Sequence, residues 1–149
     1  MLIEQAFEVD APIDRVWSFI RDPETVGPCL PGCQGIEVTG DTTYKSTIKV
    51  GLGPIKTSFI VDVELVEEDP PHFAKSMTKG EEGGRASSVS AESELRLRDL
   101  GNGATEVAYK SDVNVVGRLA KFGFGIMKKK AQSMGAEFAE AVKANLEGE

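Results

Sequence analysis

Through most of the chain apolar and polar residues alternate with period two, and over the last thirty or so residues the spacing changes to three and four. Residues 2–9, with Ile3, Phe7 and Val9 on one face, read as a first strand. Ala11-Pro12 opens a short helix over 13–20, where the missing N–H of Pro12 costs little and Val16, Trp17 and Ile20 make an apolar edge. Asp22-Pro23 ends it, and a second short turn or helix leads to the loop Cys29-Leu30-Pro31-Gly32-Cys33. Strands and turns then alternate. Residues 42–50 set Tyr44, Ser46, Ile48 and Val50 against Thr43, Lys45, Thr47 and Lys49, between turns at Gly40-Asp41 and at 51–54. Residues 55–67 form the clearest strand, with Phe59, Val61, Val63 and Leu65 opposite Ser58, Asp62 and Glu64. Asp69-Pro70-Pro71 breaks it, and strands over 73–79, 86–98 and 104–116 complete the set.

The final period belongs to a helix over 117–146. Leu119, Phe122, Ile126, Met127, Met134, Phe138 and Val142 fall on one stripe, with Arg118, Lys121, Lys128, Gln132 and Lys143 opposite. Such a helix is about 45 Å long at ~1.5 Å per residue. Short connections make neighbouring strands pair as antiparallel hairpins with one buried face. A sheet of seven strands with native twist curls. The expected architecture is therefore α+β of the helix-grip kind. A seven-stranded curved antiparallel sheet wraps a long C-terminal helix, two short helices follow the first strand, and residues 1–149 form one domain.

The inward phase carries Tyr44, Phe59, Val63, Leu95, Val107 and Val113, but also Ser46, Ala91, Ser93 and Ser111. Small residues, in a chain with only 7% aromatics, do not fill the space beneath a helix. A void of about 300 Å³, the low end for a ligand site, costs about 7 kcal/mol at ~24 cal/mol per Å³. That is comparable with the ~5–15 kcal/mol holding a domain together. A ligand in such a cavity explains it better than an empty hole does; tilted side chains and water are the alternative filling.

Composition narrows the partners. The net charge of −7 provides no basic surplus for nucleic acid. No apolar stretch approaches the ~20 residues of a membrane span, and no secretory leader is visible. Two cysteines without an export signal suggest reduced thiols in a cytoplasm.

The placed elements resemble the G-subunit family of carbon monoxide dehydrogenase, within the START-like and Bet v 1-like helix-grip superfamily. The resemblance rests on Ala11-Pro12, Val16-Trp17, Asp22-Pro23 and the Cys29–Cys33 loop, then on Val50-Gly51, Gly53-Pro54-Ile55-Lys56 and Pro70-Pro71. Gly83-Gly84, Val116-Gly117-Arg118-Leu119-Ala120, Gly123 and Phe138 complete it. It implies an accessory protein, with no catalytic residues of its own, that serves a molybdenum hydroxylase of the carbon monoxide dehydrogenase type. The accompanying expectations are a bound quinone or other lipid, no covalent cofactor, and a cytoplasmic protein peripheral to the inner membrane. Some members carry a C-terminal membrane-attachment segment; the sequence to Glu149 shows none, so transient contact with the membrane face or a soluble carrier is expected.

The expected ligand wall comprises Phe59, Val61, Val63, Met77, Ser93, Tyr109, Ser111 and Val113 from the strands, with Phe122, Ile126, Lys130 and Met134 from the helix. Trp17 either closes the short helices onto the sheet or lines the pocket mouth. Lys130 falls within the apolar stripe, where its ammonium either snorkels to an opening or meets a ligand carbonyl or headgroup. Lys128 to Lys130 offer a basic surface to anionic lipid. Phe122-Gly123-Phe124-Gly125 softens the helix start, at roughly 1 kcal/mol per glycine. Cys29 and Cys33 with the single His72 cannot complete a four-ligand zinc site, so no metal is expected. A small cyclase or hydrolase using the same cavity through Tyr109, Ser93, Ser111 and Lys130 is the alternative function, and a pure protein-docking module a third.

Overall fold

In the computed structural model, which describes residues 1–148, seven strands build one sheet. They are β1 (Leu2–Val9), β2 (Cys33–Val38), β3 (Thr43–Leu52), β4 (Ile55–Asp69), β5 (Phe73–Glu82), β6 (Ser87–Gly101) and β7 (Ala104–Gly117). Glu149, the end of the expected domain, lies outside the described residues. The spatial order is β1-β7-β6-β5-β4-β3-β2, antiparallel throughout. This is the helix-grip α+β class, with a curved sheet against a long C-terminal helix.

From β2 onward each strand pairs with its successor, as the short turns dictate. The first strand does not. β1 pairs with β7, from Leu2 opposite Asp112 to Val9 opposite Thr105. Two short helices, α1 (Ile13–Arg21) and α2 (Pro23–Val26), then carry the chain to the far edge of the sheet. The Asp22 side chain caps α2 by accepting from the Glu24 amide at 3.0 Å.

The last helix, α3 (Phe124–Glu147), starts later than the spacing suggested. Arg118–Phe122 is a 3₁₀ turn, and Gly123 (φ 83°, ψ 164°) separates it from α3. That backbone region is open almost only to glycine, so the 117–146 stripe is two segments. The remaining 24 residues span about 36 Å. Gly135, Ala139, Val142 and Leu146, spaced four, three and four, form its buried line.

Two apolar clusters result. The larger joins Val9, Val16, Leu97, Val107, Val142 and Leu146, with Trp17, Ile20, Leu95 and Phe138 packed against them. The smaller joins Leu52, Phe59 and Leu119, with Val61, Phe122 and Met127 around them.

Candidate functional site

A cavity of about 470 Å³ borders both clusters. Strands β3 and β4 supply Tyr44, Ile48, Val61, Val63 and Leu65, whose even or odd phase faces inward. Strands β5, β6 and β7 supply Ala74, Ser76, Thr78, Ser93, Leu95, Tyr109 and Ser111, and α3 closes the space with Met134, Gly135 and Phe138. Around it also lie Trp17, Ile20 and Arg21 of α1, Pro23 and Val26 of α2, and Leu30-Pro31 of the following loop. A small hydroxyl or alanine at the wall is what leaves the space open.

The polar groups of the wall differ in how they are satisfied. Tyr109 donates its hydroxyl to Gln5 Oε1 in a short hydrogen bond, and burial raises its pKa. Its ring meets Phe138 edge-on, centroids 6.4 Å apart. Helix α3 approaches this pair at Gly135, where a Cβ would overlap both Gln5 Oε1 and Tyr109 Oη. Ser93 and Ser111 share one bond of 2.8 Å. Burial, with a smaller contribution from Cys33, raises the Tyr44 pKa, and nearby Arg21 opposes the rise. Arg21 itself is held by Glu68, bonded at Nε and at Nη2 (3.4 Å), and by the Asp41 carbonyl at 3.3 Å.

Beyond the cavity, buried Glu82 receives Arg118 Nε at 3.0 Å on both oxygens, together with a shorter bond from Nη2. Arg118, helped by Thr57 and Ser87 and opposed by desolvation, lowers the Glu82 carboxyl to about 2. This pair ties β5 to the turn leading into α3. On the convex face a depression is lined by Ala6, Ala108, Glu4, Glu94, Arg96 and Lys110, with Glu94 reaching Arg96 at 3.1 Å and Lys110 at 3.8 Å.

The sequence family described as the carbon monoxide dehydrogenase G subunit (CoxG) matches residues 6–147. The chain belongs to the CoxG family. No curated protein matches it significantly. Among solved structures, a conserved protein from Geobacillus kaustophilus is 23% identical with TM-score 0.91, covering 99% of this chain and 96% of its own. A START superfamily protein from Mycobacterium smegmatis is 16% identical with TM-score 0.80, over 99% and 97%. The Zhui aromatase/cyclase from Streptomyces sp. R1128 is 15% identical with TM-score 0.73, over 99% and 93%. These likenesses define the fold.

In this CoxG chain the cavity brings together six of the expected wall residues: Val61, Val63, Ser93, Tyr109, Ser111 and Met134. The other six lie elsewhere. Phe59 and Phe122 pack within and against the smaller cluster. Val113 is half-buried on the inner face beyond the wall. Met77 points outward, 39% exposed, because pairing of Val63 with Thr78 turns the even positions of β5 inward. Ile126 is 52% exposed, since the break at Gly123 resets the helical face. Lys130 is half-exposed and stands outside the wall.

Trp17 does both things considered for it, packing on the larger cluster and lining the cavity. Sequence reasoning left Ser76 and Thr78 out of the site, and the lining residues Ile20, Arg21, Leu30 and Pro31 as well. The alternation of β4, carried across its pairing, could have recovered the first two. Cys29 and Cys33 are free thiols; burial raises the Cys29 pKa, and Cys33 Sγ lies 3.4 Å from Ser46 Oγ. His72 is exposed. No helix among the described residues is long and apolar enough to cross a membrane.

Proposed function

We propose that this CoxG family protein is a non-catalytic carrier that shelters an apolar ligand, an isoprenoid quinone or other lipid, and serves a molybdenum hydroxylase of the carbon monoxide dehydrogenase type. The observation carrying this reading is the cavity of about 470 Å³, walled mainly by aliphatic and aromatic side chains between two packed clusters. Its size falls within the range of small-molecule sites. Cyclase or hydrolase chemistry needs a positioned proton donor or acceptor. Here Tyr109 is already committed to Gln5, which favours binding over turnover.

The test is organic extraction of the purified protein with mass spectrometry of the extract, alongside the intact complex. The expected result is a quinone or other lipid in stoichiometric amount, with acceptance of electrons from the partner hydroxylase by the loaded protein. An empty protein that also refuses added quinone refutes the reading.

A second observation supports transient contact with a membrane face. Phe124 and Ile126 are 57% and 52% exposed at the start of α3, in a sequence containing Lys121, Lys128 and Lys129. Co-sedimentation with anionic vesicles should be lost when Phe124 and Ile126 become serine; no binding by the native protein refutes this part alone.

A further inference from the structure

The cavity's hydroxyls divide into two groups. The chain has two tyrosines, and both stand in the wall. On the β6–β7 side the fold satisfies its own hydroxyls, since Tyr109 bonds Gln5 and Ser93 bonds Ser111. On the β3–β5 side it does not. Register places Tyr44 opposite Val63, Val63 opposite Thr78, and Leu65 opposite Ser76, so the three hydroxyl residues occupy neighbouring rows of one wall. No side-chain hydrogen bond joins Tyr44, Ser76 or Thr78 to any described residue. Yet no fully buried side-chain oxygen among the described residues lacks a partner. The three oxygens are therefore accessible rather than sealed in, and all three residues border the cavity.

We propose that Tyr44, with Ser76 and Thr78 beside it, forms a hydrogen-bonding subsite for one uncharged oxygen of the ligand, a carbonyl above all, while the ligand's apolar remainder fills the rest of the cavity. This rests on the carrier reading. An apolar ligand that displaces water from these accessible hydroxyls leaves them costly unless it brings an acceptor of its own, which a ligand oxygen supplies. The Tyr44 phenol, protonated at neutral pH in any case and pushed further up by burial, is able to donate. The oxygen is uncharged because both charged residues bordering the cavity are already balanced. Arg21 is taken by Glu68 and the Asp41 carbonyl, and Glu94 by Arg96 and Lys110. Among the described residues that border the cavity, an ionised headgroup finds no unpaired counter-ion.

The subsite separates ligands by their oxygen. Tyr44→Phe removes that hydroxyl and keeps the ring. Two compounds are titrated into delipidated protein: decylubiquinone, followed by quenching of Trp17, the chain's single tryptophan and itself in the wall, and the hydrocarbon diphenylhexatriene, followed by its own fluorescence. The expected result is about tenfold weaker quinone binding in Tyr44→Phe, the worth of one hydrogen bond, with diphenylhexatriene unchanged within twofold. Thr78→Val and Ser76→Ala should each weaken the quinone alone by a smaller factor. Unchanged quinone affinity in all three variants overturns the subsite and leaves the carrier reading standing. An equal fall for both compounds also overturns it, since the ring then serves packing only. Decanoate bound more tightly than decylubiquinone overturns the uncharged headgroup. Native protein that takes neither compound overturns the carrier reading and the subsite with it.

Discussion

Thr78→Ile puts the cavity itself to the test. Thr78 is half-buried, borders the cavity, and its hydroxyl makes no hydrogen bond to the described residues. Isoleucine keeps the β-branch, so strand propensity and χ1 freedom change little. The exchange replaces a hydroxyl by an ethyl group, two carbons worth about 0.8 kcal/mol each when fully buried. At a half-buried position in open space, the ligand-free protein should gain about 1 kcal/mol. For a chain of 149 residues that raises Tm by roughly 2–4 °C. Differential scanning calorimetry on delipidated protein measures it, and titration with decylubiquinone should show weaker binding in the same variant. Stability and binding thus move in opposite directions. A packed wall behaves otherwise: extra carbons forced into it cost about 1–3 kcal/mol. A Tm lowered by several degrees refutes the reasoning, because the space would not exist.

Three further outcomes follow from the same contacts. Gly135→Val should destabilise by about 2 kcal/mol through overpacking against Tyr109 and Gln5, measured by urea unfolding; unchanged stability refutes the close approach of α3. Leu97→Ala, in the larger cluster, should cost about 2–5 kcal/mol in the same assay, and a loss below 1 kcal/mol would show that the cluster is loosely packed. The Glu82 carboxyl sits below its ordinary value of 4.5, at about 2, so its contribution is complete above pH 4.5 and disappears as pH falls towards 2. Glu82→Gln should flatten that acid limb of stability, and an unaltered limb removes Glu82 from it.

The legibility of the fold varied with what each residue had to face. Residues 55–67 declared their own orientation, since Phe59, Val61, Val63 and Leu65 are large, apolar and in phase, and they do face inward. Residues 73–79 misled because the inward positions are Ala74, Ser76 and Thr78 while the largest apolar side chain, Met77, points to solvent. A wall that must leave room for something else uses small and polar residues, which erases the local signal. The register partner restores it, but pairing is not local. The helix was misjudged at its start for a backbone reason: Gly123 adopts a conformation that interrupts the apolar stripe without any proline. The cavity residues of α1 and the following loop could be seen as elements but not as neighbours of Tyr44 and Leu65. Their meeting depends on the crossing from β1 to the opposite sheet edge.

That crossing also orders events during synthesis. Strand β1 is made long before its partner, residue 2 lying opposite residue 112. At about 5–20 residues per second the intervening chain takes roughly 5–20 s to emerge, and throughout that time β1 offers unpaired backbone to any neighbouring chain. Its closure is a long-range contact of the kind that slows folding. The helix that covers the cavity comes later still. A nascent chain therefore has no enclosed interior until α3 has been made, and on the carrier reading any ligand enters after that point rather than being trapped as the sheet forms.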